Sequence, residues 1–241
     1  MPKLSILMYH NVCRSENESN KLAISVRNLE KQFQFLKDNN YKTFHFSELE
    51  KMHFIPKKSI VLTFDDVTEN QFTYAVPLLE RFNLKASFFV PFAYIGKLDL
   101  WNENSKFSAE KIMTIEQLKL LNSDKIELGY HSYEHRKYSS LLPLEVEKDF
   151  LKCEEVIKNN NLKISPVLAY PYGNYPRERQ KKIKFKNIIV ENRIKFGLKI
   201  GNRPNRFPFK DKFEVKRISI EGQDSLLVFR LKIIFGKLKL F

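Results

Sequence analysis

The sequence predicts an α/β fold, built from parallel β/α units in one domain over residues 1–241. Three observations carry this: short apolar runs alternate with amphipathic segments along the whole chain, polar clusters follow directly on several of the apolar runs, and no linker or internal repeat interrupts the pattern. A chain of 241 residues is long enough to bury a sizeable core.

Residues 4–8 read as a first strand, and residues 29–39 as a helix with Leu29, Phe33 and Leu36 on one face. A short strand is expected at 41–46. Residues 59–64 follow Pro56 as a buried strand that stops at Asp65-Asp66. A helix over 72–82, a strand rich in Phe and Val at 86–91, and an irregular stretch over 92–113 holding the single Trp, Trp101, come next. Thr114-Ile115-Glu116-Gln117 is a capping box that opens a helix to about residue 121. Residues 126–130 are a strand running into His131. Pro143 opens a long helix carrying Val146, Phe150, Val156 and Ile157. Residues 167–169 are a strand leading to Tyr170-Pro171-Tyr172-Gly173. Pro176 suits the first position of a basic helix from 177 to about 195. An alternating strand at 213–220 and a basic amphipathic helix at about 225–240 end the chain.

Twenty-one Phe and ten Tyr argue against disorder, and seven Gly with ten Pro exclude collagen-like or low-complexity sequence. The net charge of +14 is unevenly placed. Residues 1–150 are balanced, whereas residues 151–241 carry 22 basic and 8 acidic residues and so the whole excess. That distribution points to an anionic partner, or to a drift in composition toward Lys and Asn. Cys13 and Cys153 match neither a disulfide framework nor a zinc module, and read as free thiols. The apolar start is too short for a signal peptide, and no run of apolar residues reaches spanning length. The expected location is therefore the cytoplasm.

Chemistry gathers where strands end. His131 and His135 face the same way if their loop makes one helical turn, a spacing that suits a divalent metal; the plainer alternative is a pair of surface histidines. Adjacent residues at a strand end diverge, so one of Asp65 and Asp66 can ligate metal while its neighbour stays free as a base. An N-cap and its neighbour would read the same way. Two histidines with one carboxylate also fit a non-haem iron oxygenase, so the donor set alone does not name a reaction.

Thr63-Phe64-Asp65-Asp66, then His131-Ser132-Tyr133-Glu134-His135, then Tyr170-Pro171-Tyr172-Gly173 resemble the ordered motifs of the polysaccharide deacetylase family, the NodB-homology group of carbohydrate esterases. Leu7-Met8-Tyr9-His10-Asn11-Val12 is similar to the opening of its circularly permuted poly-N-acetylglucosamine deacetylase branch. The resemblance implies a distorted (β/α) barrel of fewer than eight strands. It also implies metal-dependent hydrolysis of N-acetyl groups on amino sugars, with zinc first and cobalt or nickel as alternatives. It makes Asp65 the general base and Asp66, His131 and His135 the metal ligands. The Tyr172 backbone N–H becomes the oxyanion donor and His10 the general acid. No His follows position 135, which leaves His10 as the candidate acid, against a buried strand-end histidine.

There are departures. Val67 stands where the family usually has Gly, and Ala169 and Tyr170 stand where an Arg that tunes the base is often found. Other residues supporting the base have no legible position. His45 and His53 have no motif around them and read as surface residues, and Trp101 reads either as a sugar platform or as packing. The implied partner is an amino-sugar glycan or a lipid- or nucleotide-linked sugar, with peripheral membrane association through the C-terminal helix, above all its tail past Gly236. A nucleic-acid partner has only charge behind it. Loss of a formyl or other acyl group from a lipid-linked sugar, or a catalytically inactive glycan binder, are the competing readings.

Overall fold

The computed structural model describes residues 2–102 and 109–237. The chain opens with β1 (Lys3–Tyr9), β2 (Asn11–Cys13), β3 (Ala23–Ser25), α1 (Val26–Asp38), β4 (Lys42–Thr43) and α2 (Phe46–Leu49). Four β/α units follow: β5 (Ser59–Asp65) with α3 (Val76–Arg81), β6 (Ala86–Val90) with α4 (Ile115–Leu120), β7 (Ile126–Tyr130) with α5 (Pro143–Asn160), and β8 (Ile164–Ala169) with α6 (Arg179–Glu191). β9 (Phe196–Ile200), β10 (Asn205–Arg206), β11 (Val215–Ser219) and α7 (Leu226–Phe235) complete it.

Among the described residues, β1, β5, β6, β7, β8, β9 and β11 close into a seven-stranded parallel barrel, because β1 pairs with β5 on one side and with β11 on the other. β4 lies parallel to the start of β5, and β10 antiparallel to the start of β1. The distorted barrel of fewer than eight strands is thus present. Strand alternation sorts the core into two parts. Leu7, Tyr9, Leu62, Phe64, Phe88, Leu128 and Ile218 point outward under the helices. Leu4, Ile6, Val61, Phe89, Val167, Ala169, Leu198 and Val215 point inward. The interior is plugged at the N-terminal end by Phe46, Leu49 and Ile55 around the short α2. The buried Glu127 carboxylate holds that plug: it accepts the Phe46 N–H at 2.5 Å, the Ser87 hydroxyl at 2.6 Å and the Ser165 hydroxyl at 3.0 Å.

Local signals place most helices. Ser25 caps α1 through the Asn28 N–H, and Leu29, Phe33 and Leu36 are buried as their spacing predicts. The Thr114/Gln117 capping box opens α4, and Pro143 is at the start of α5. Several expectations need correction. β9 falls just after the segment read as one continuous basic helix; α6 starts at Arg179 and stops at Glu191, and Pro176 lies outside it. His45 is buried, not a surface residue, with Nε2 3.0 Å from the Lys125 carbonyl oxygen. α7 ends at Phe235 with Gly236 as its C-cap, and residues 238–241, which include most of the tail singled out for a membrane role, lie outside the described residues. No helix among the described residues is long and apolar enough to cross a membrane.

Gly197 in β9 shows how tightly the wall is packed: a Cβ there would stand 1.9 Å from the Tyr170 hydroxyl, which donates to the Phe213 carbonyl. Gly197→Ala is expected to lower stability by about 1–3 kcal/mol, read as a shift of the urea midpoint at unchanged slope.

Candidate metal centre and active site

The sequence-predicted residues converge at the C-terminal ends of the barrel strands, the end where parallel α/β folds build sites. His10 follows β1, Asp65 ends β5, His131 follows β7 and Tyr172 follows β8. Asp66 and His135 complete the group from the same loops. Asp66 Oδ1 is 3.4 Å from His131 Nε2 and 3.4 Å from His135 Nε2, and the two Nε2 atoms are 3.2 Å apart. Ligands around a tetrahedral zinc, at bonds of 2.0–2.1 Å, are spaced by about 3.3 Å, so this triangle has the right size.

The chemistry of the donors fits a cation as well. Asp66 Oδ1 is buried without a hydrogen-bond partner among the described residues. Burial, with the charges of Asp65 and Asp99, pushes the Asp66 carboxyl well above the usual carboxylate range, a cost that a cation at this point would remove. Burial lowers the His131 pKa to about 4 and also pushes His135 down, so both imidazoles are neutral at pH 7, the form that ligates metal. His131 Nδ1 lies 2.8 Å from the Ala169 carbonyl oxygen, which fixes the ring and leaves Nε2 facing the site. Trp101 stacks on His135 at 4.2 Å between ring centroids, and the Tyr172 ring meets His135 edge-on at 4.8 Å. Trp101 is thus a wall of the site.

Asp65 is governed by a residue the sequence reading missed. Arg217, on the inward face of β11, forms a two-pronged ion pair with it: NH1 donates to Oδ1 at 2.5 Å and NH2 to Oδ2 at 2.8 Å. Both groups are almost wholly buried. Burial alone would raise the Asp65 carboxyl; the charge of Arg217, with its hydrogen bonds, leads what outweighs burial and holds Asp65 well below the usual carboxylate range. An arginine that holds Asp65 ionised is therefore present, delivered from β11 rather than from the segment before Pro171. The signal was legible in outline, since Arg217 is a charge between Val215 and Ser219 on the inner face of an alternating strand.

His10 Nε2 stands 3.8 Å from Asp65 Oδ2, so the two are direct neighbours. Burial, opposed by Asp65 and assisted by Arg217, lowers the His10 pKa. Gln71, in the wide turn before α3, ties both strand ends together: its Nε2 donates to the His10 carbonyl at 2.8 Å and to the Asp65 carbonyl at 2.6 Å. Asp149, buried on α5, anchors the histidine loop by accepting the Tyr133 N–H at 2.9 Å and the Tyr138 hydroxyl at 2.9 Å.

The loops are strained. Asp66 (φ 76°), Val67 (φ 45°), Ser132 (φ 65°), His135 (φ 56°) and Tyr172 (φ 58°) are all left-handed without being glycine. Val67 keeps the backbone conformation a glycine would take freely, held there by a fully buried side chain and a hydrogen bond from the Met113 N–H to its carbonyl at 2.9 Å. In the Tyr172 turn, Gly173 N–H bonds to the Tyr170 carbonyl and Asn174 N–H to the Pro171 carbonyl; no acceptor takes the Tyr172 N–H among the described residues.

Residues 55–188 match the family model for polysaccharide deacetylase. The chain belongs to that family. His10 and Arg217 lie outside the matched segment, and only the fold brings them to it. YxkH of Bacillus subtilis is 26% identical over 183 residues, covering 74% of this chain and 60% of the relative. A poly-β-1,6-N-acetyl-D-glucosamine N-deacetylase of Staphylococcus aureus is 24% identical over 165 residues, 66% of this chain and 57% of the relative. The matches thus span less than two thirds of these relatives. Among solved structures, the Streptococcus pyogenes deacetylase PplD in complex with acetate superposes with a TM-score of 0.78 at 20% identity, covering 97% of this chain and 99% of that one.

Two outcomes test the electrostatics. Arg217→Met leaves a buried carboxylate without its partner and is expected to cost about 3–5 kcal/mol in chemical denaturation, most of which the added change Asp65→Asn recovers. Asp149 is pushed up to about 6, by burial first and against its own hydrogen bonds. Because the folded pKa is raised, its stabilising contribution is full below pH ~4 and is lost as pH rises through ~6, by on the order of 2–3 kcal/mol. In Asp149→Asn that part of the pH dependence should vanish, as seen by comparing stability–pH curves of the two proteins.

Proposed function

We propose that this chain is a metal-dependent hydrolase that removes N-acetyl groups from amino sugars of a polysaccharide or glycan intermediate. The observation that carries the reading is the pairing of a metal-sized triangle, Asp66–His131–His135, with an arginine-bound carboxylate, Asp65, that shares the site but not the triangle. Family membership supports the class of reaction. The Staphylococcus aureus relative's name supports the class of substrate.

An amide is a poor electrophile, and a bound metal with three groups of this chain would answer that. A divalent metal held by Asp66, His131 and His135, with zinc the first choice and cobalt or nickel alternatives, supplies Lewis acidity toward the carbonyl and toward water. Asp65, kept ionised by Arg217, accepts the proton of the attacking water. The Tyr172 N–H, presented by its left-handed turn, donates to the oxyanion as it develops. Asp65, 3.8 Å away, passes the water's proton to His10, which hands it to the departing amine. Trp101 and Tyr172 flank the site and suit the apolar face of a sugar ring.

Chelation should abolish release of acetate from N-acetylated oligoglucosamine, and added Zn²⁺, Co²⁺ or Ni²⁺ should restore it; turnover indifferent to chelator would sink the reading. Asp65→Asn is expected to lower kcat by roughly 10³-fold or more while metal content, measured by elemental analysis, stays at the wild-type level. Loss of metal instead would exchange the roles of Asp65 and Asp66.

A further inference from the structure

α7 is turned inside out for a surface helix. Its one buried cation, Lys232, faces the barrel, where Nζ donates to Asp224 at 2.5 Å and to the Ser219 carbonyl at 3.0 Å. Phe229 and Ile233 share that inner face. The opposite face carries large apolar side chains: Leu227 is 63% exposed, Ile234 49% and Phe235 50%. Leu227, Leu231 and Ile234 are spaced by three and four residues and so form one stripe, which an ordinary solvent-facing helix would make polar. Exposed apolar surface gathered in this way marks something that covers it.

The charge around the stripe identifies the cover. Residues 225–237 contain no acidic residue. Arg230, over the ring of Phe35, and Arg203, which donates to the Phe235 carbonyl, have no carboxylate partner among the described residues. Three acids nearby are paired with cations: Asp224 with Lys232, Glu221 with Lys237 and Glu30 with Arg81. Asp38, bonded to the neutral Gln34 amide, keeps its charge. The unpaired charges flanking the stripe on α7 and at Arg203 are therefore positive. A second copy of the chain on this face would set Arg203 and Arg230 into one interface with their own counterparts, which like charges oppose.

We infer that the outer face of α7 docks on an anionic lipid surface. Leucine, isoleucine and phenylalanine enter the boundary between head groups and acyl chains, and Arg203 and Arg230 lie along the phosphates. The helix does not span the bilayer. This inference is independent of the reaction proposed above, since none of its residues belongs to the site.

The test is flotation of the purified chain with vesicles of phosphatidylcholine, with and without roughly one-third phosphatidylglycerol. Wild type should float with the anionic vesicles, and binding should weaken as NaCl rises from about 0.05 to about 0.5 M. Leu227→Glu with Ile234→Glu, both at exposed positions, should reduce binding by ~tenfold or more at unchanged thermal stability and unchanged metal content. Arg230→Glu should reduce it most at low salt. Absence of wild-type binding to anionic vesicles would overturn the inference whether or not the variants fold. So would binding that the variants leave intact, or sedimentation showing a dimer that Leu227→Glu dissociates.

Discussion

A charge pair at the centre of a barrel governs what this protein can be. Asp65 and Arg217 project from opposite ends of the sequence into an interior otherwise lined by Val61, Phe89, Leu198 and Val215. Neither charge is tolerable there alone, because desolvation in an apolar interior costs more than folding can spare. Together they need each other's geometry: the guanidinium fork lies flat against the carboxylate, near the Thr63 hydroxyl and over the Phe89 ring. That pairing decides the state of the carboxylate. Without Arg217, burial would push the Asp65 carboxyl up toward its protonated form. The same barrel isolates its other interior carboxylate, Glu127, at the far end, where helix N–H groups and serine hydroxyls satisfy it. One interior carboxylate is thus held by N–H and hydroxyl groups and the other by a guanidinium.

The Asp66–His131–His135 triangle is set by a different device. Its residues sit on loops that hold left-handed residues without glycine, and these persist because buried neighbours leave no alternative. Val67 is the plainest case: a β-branched residue in a conformation it disfavours, locked by a buried side chain. Asp149 and Gln71 act on the same loops from behind, through backbone N–H and carbonyl groups rather than through the ligands themselves.

Much of this was legible in the sequence, for identifiable reasons. β1, β5, β6 and β7 are fully or largely buried apolar runs, and Thr114 and Pro143 are local start signals, so these elements follow from short-range physics. β9 did not show, because Lys195, Gly197 and Lys199 dilute its pattern and the basic helix before it has no glycine stop. His131, His135, Asp65 and Asp66 were legible as residue types at strand ends. Arg217 was not assigned, because its meaning depends on pairing across 152 positions, and local pattern holds no trace of that. His45 was misplaced for a similar reason, its partner being the carbonyl of Lys125 across the plug.

Closure through β1 has a temporal consequence. The first strand is flanked by β5 and by β11, and the last of these reaches the barrel only after residue 215 has joined the chain. β1, which leads into His10, keeps one edge unpaired until β11 is in place beside it. Until Arg217 is in place, Asp65 faces an incomplete wall and lacks its ion-pair partner. Long-range closure of this kind folds slowly and leaves strand edges open to wrong partners meanwhile. The Asp65–Arg217 pair thus belongs only to the closed ring.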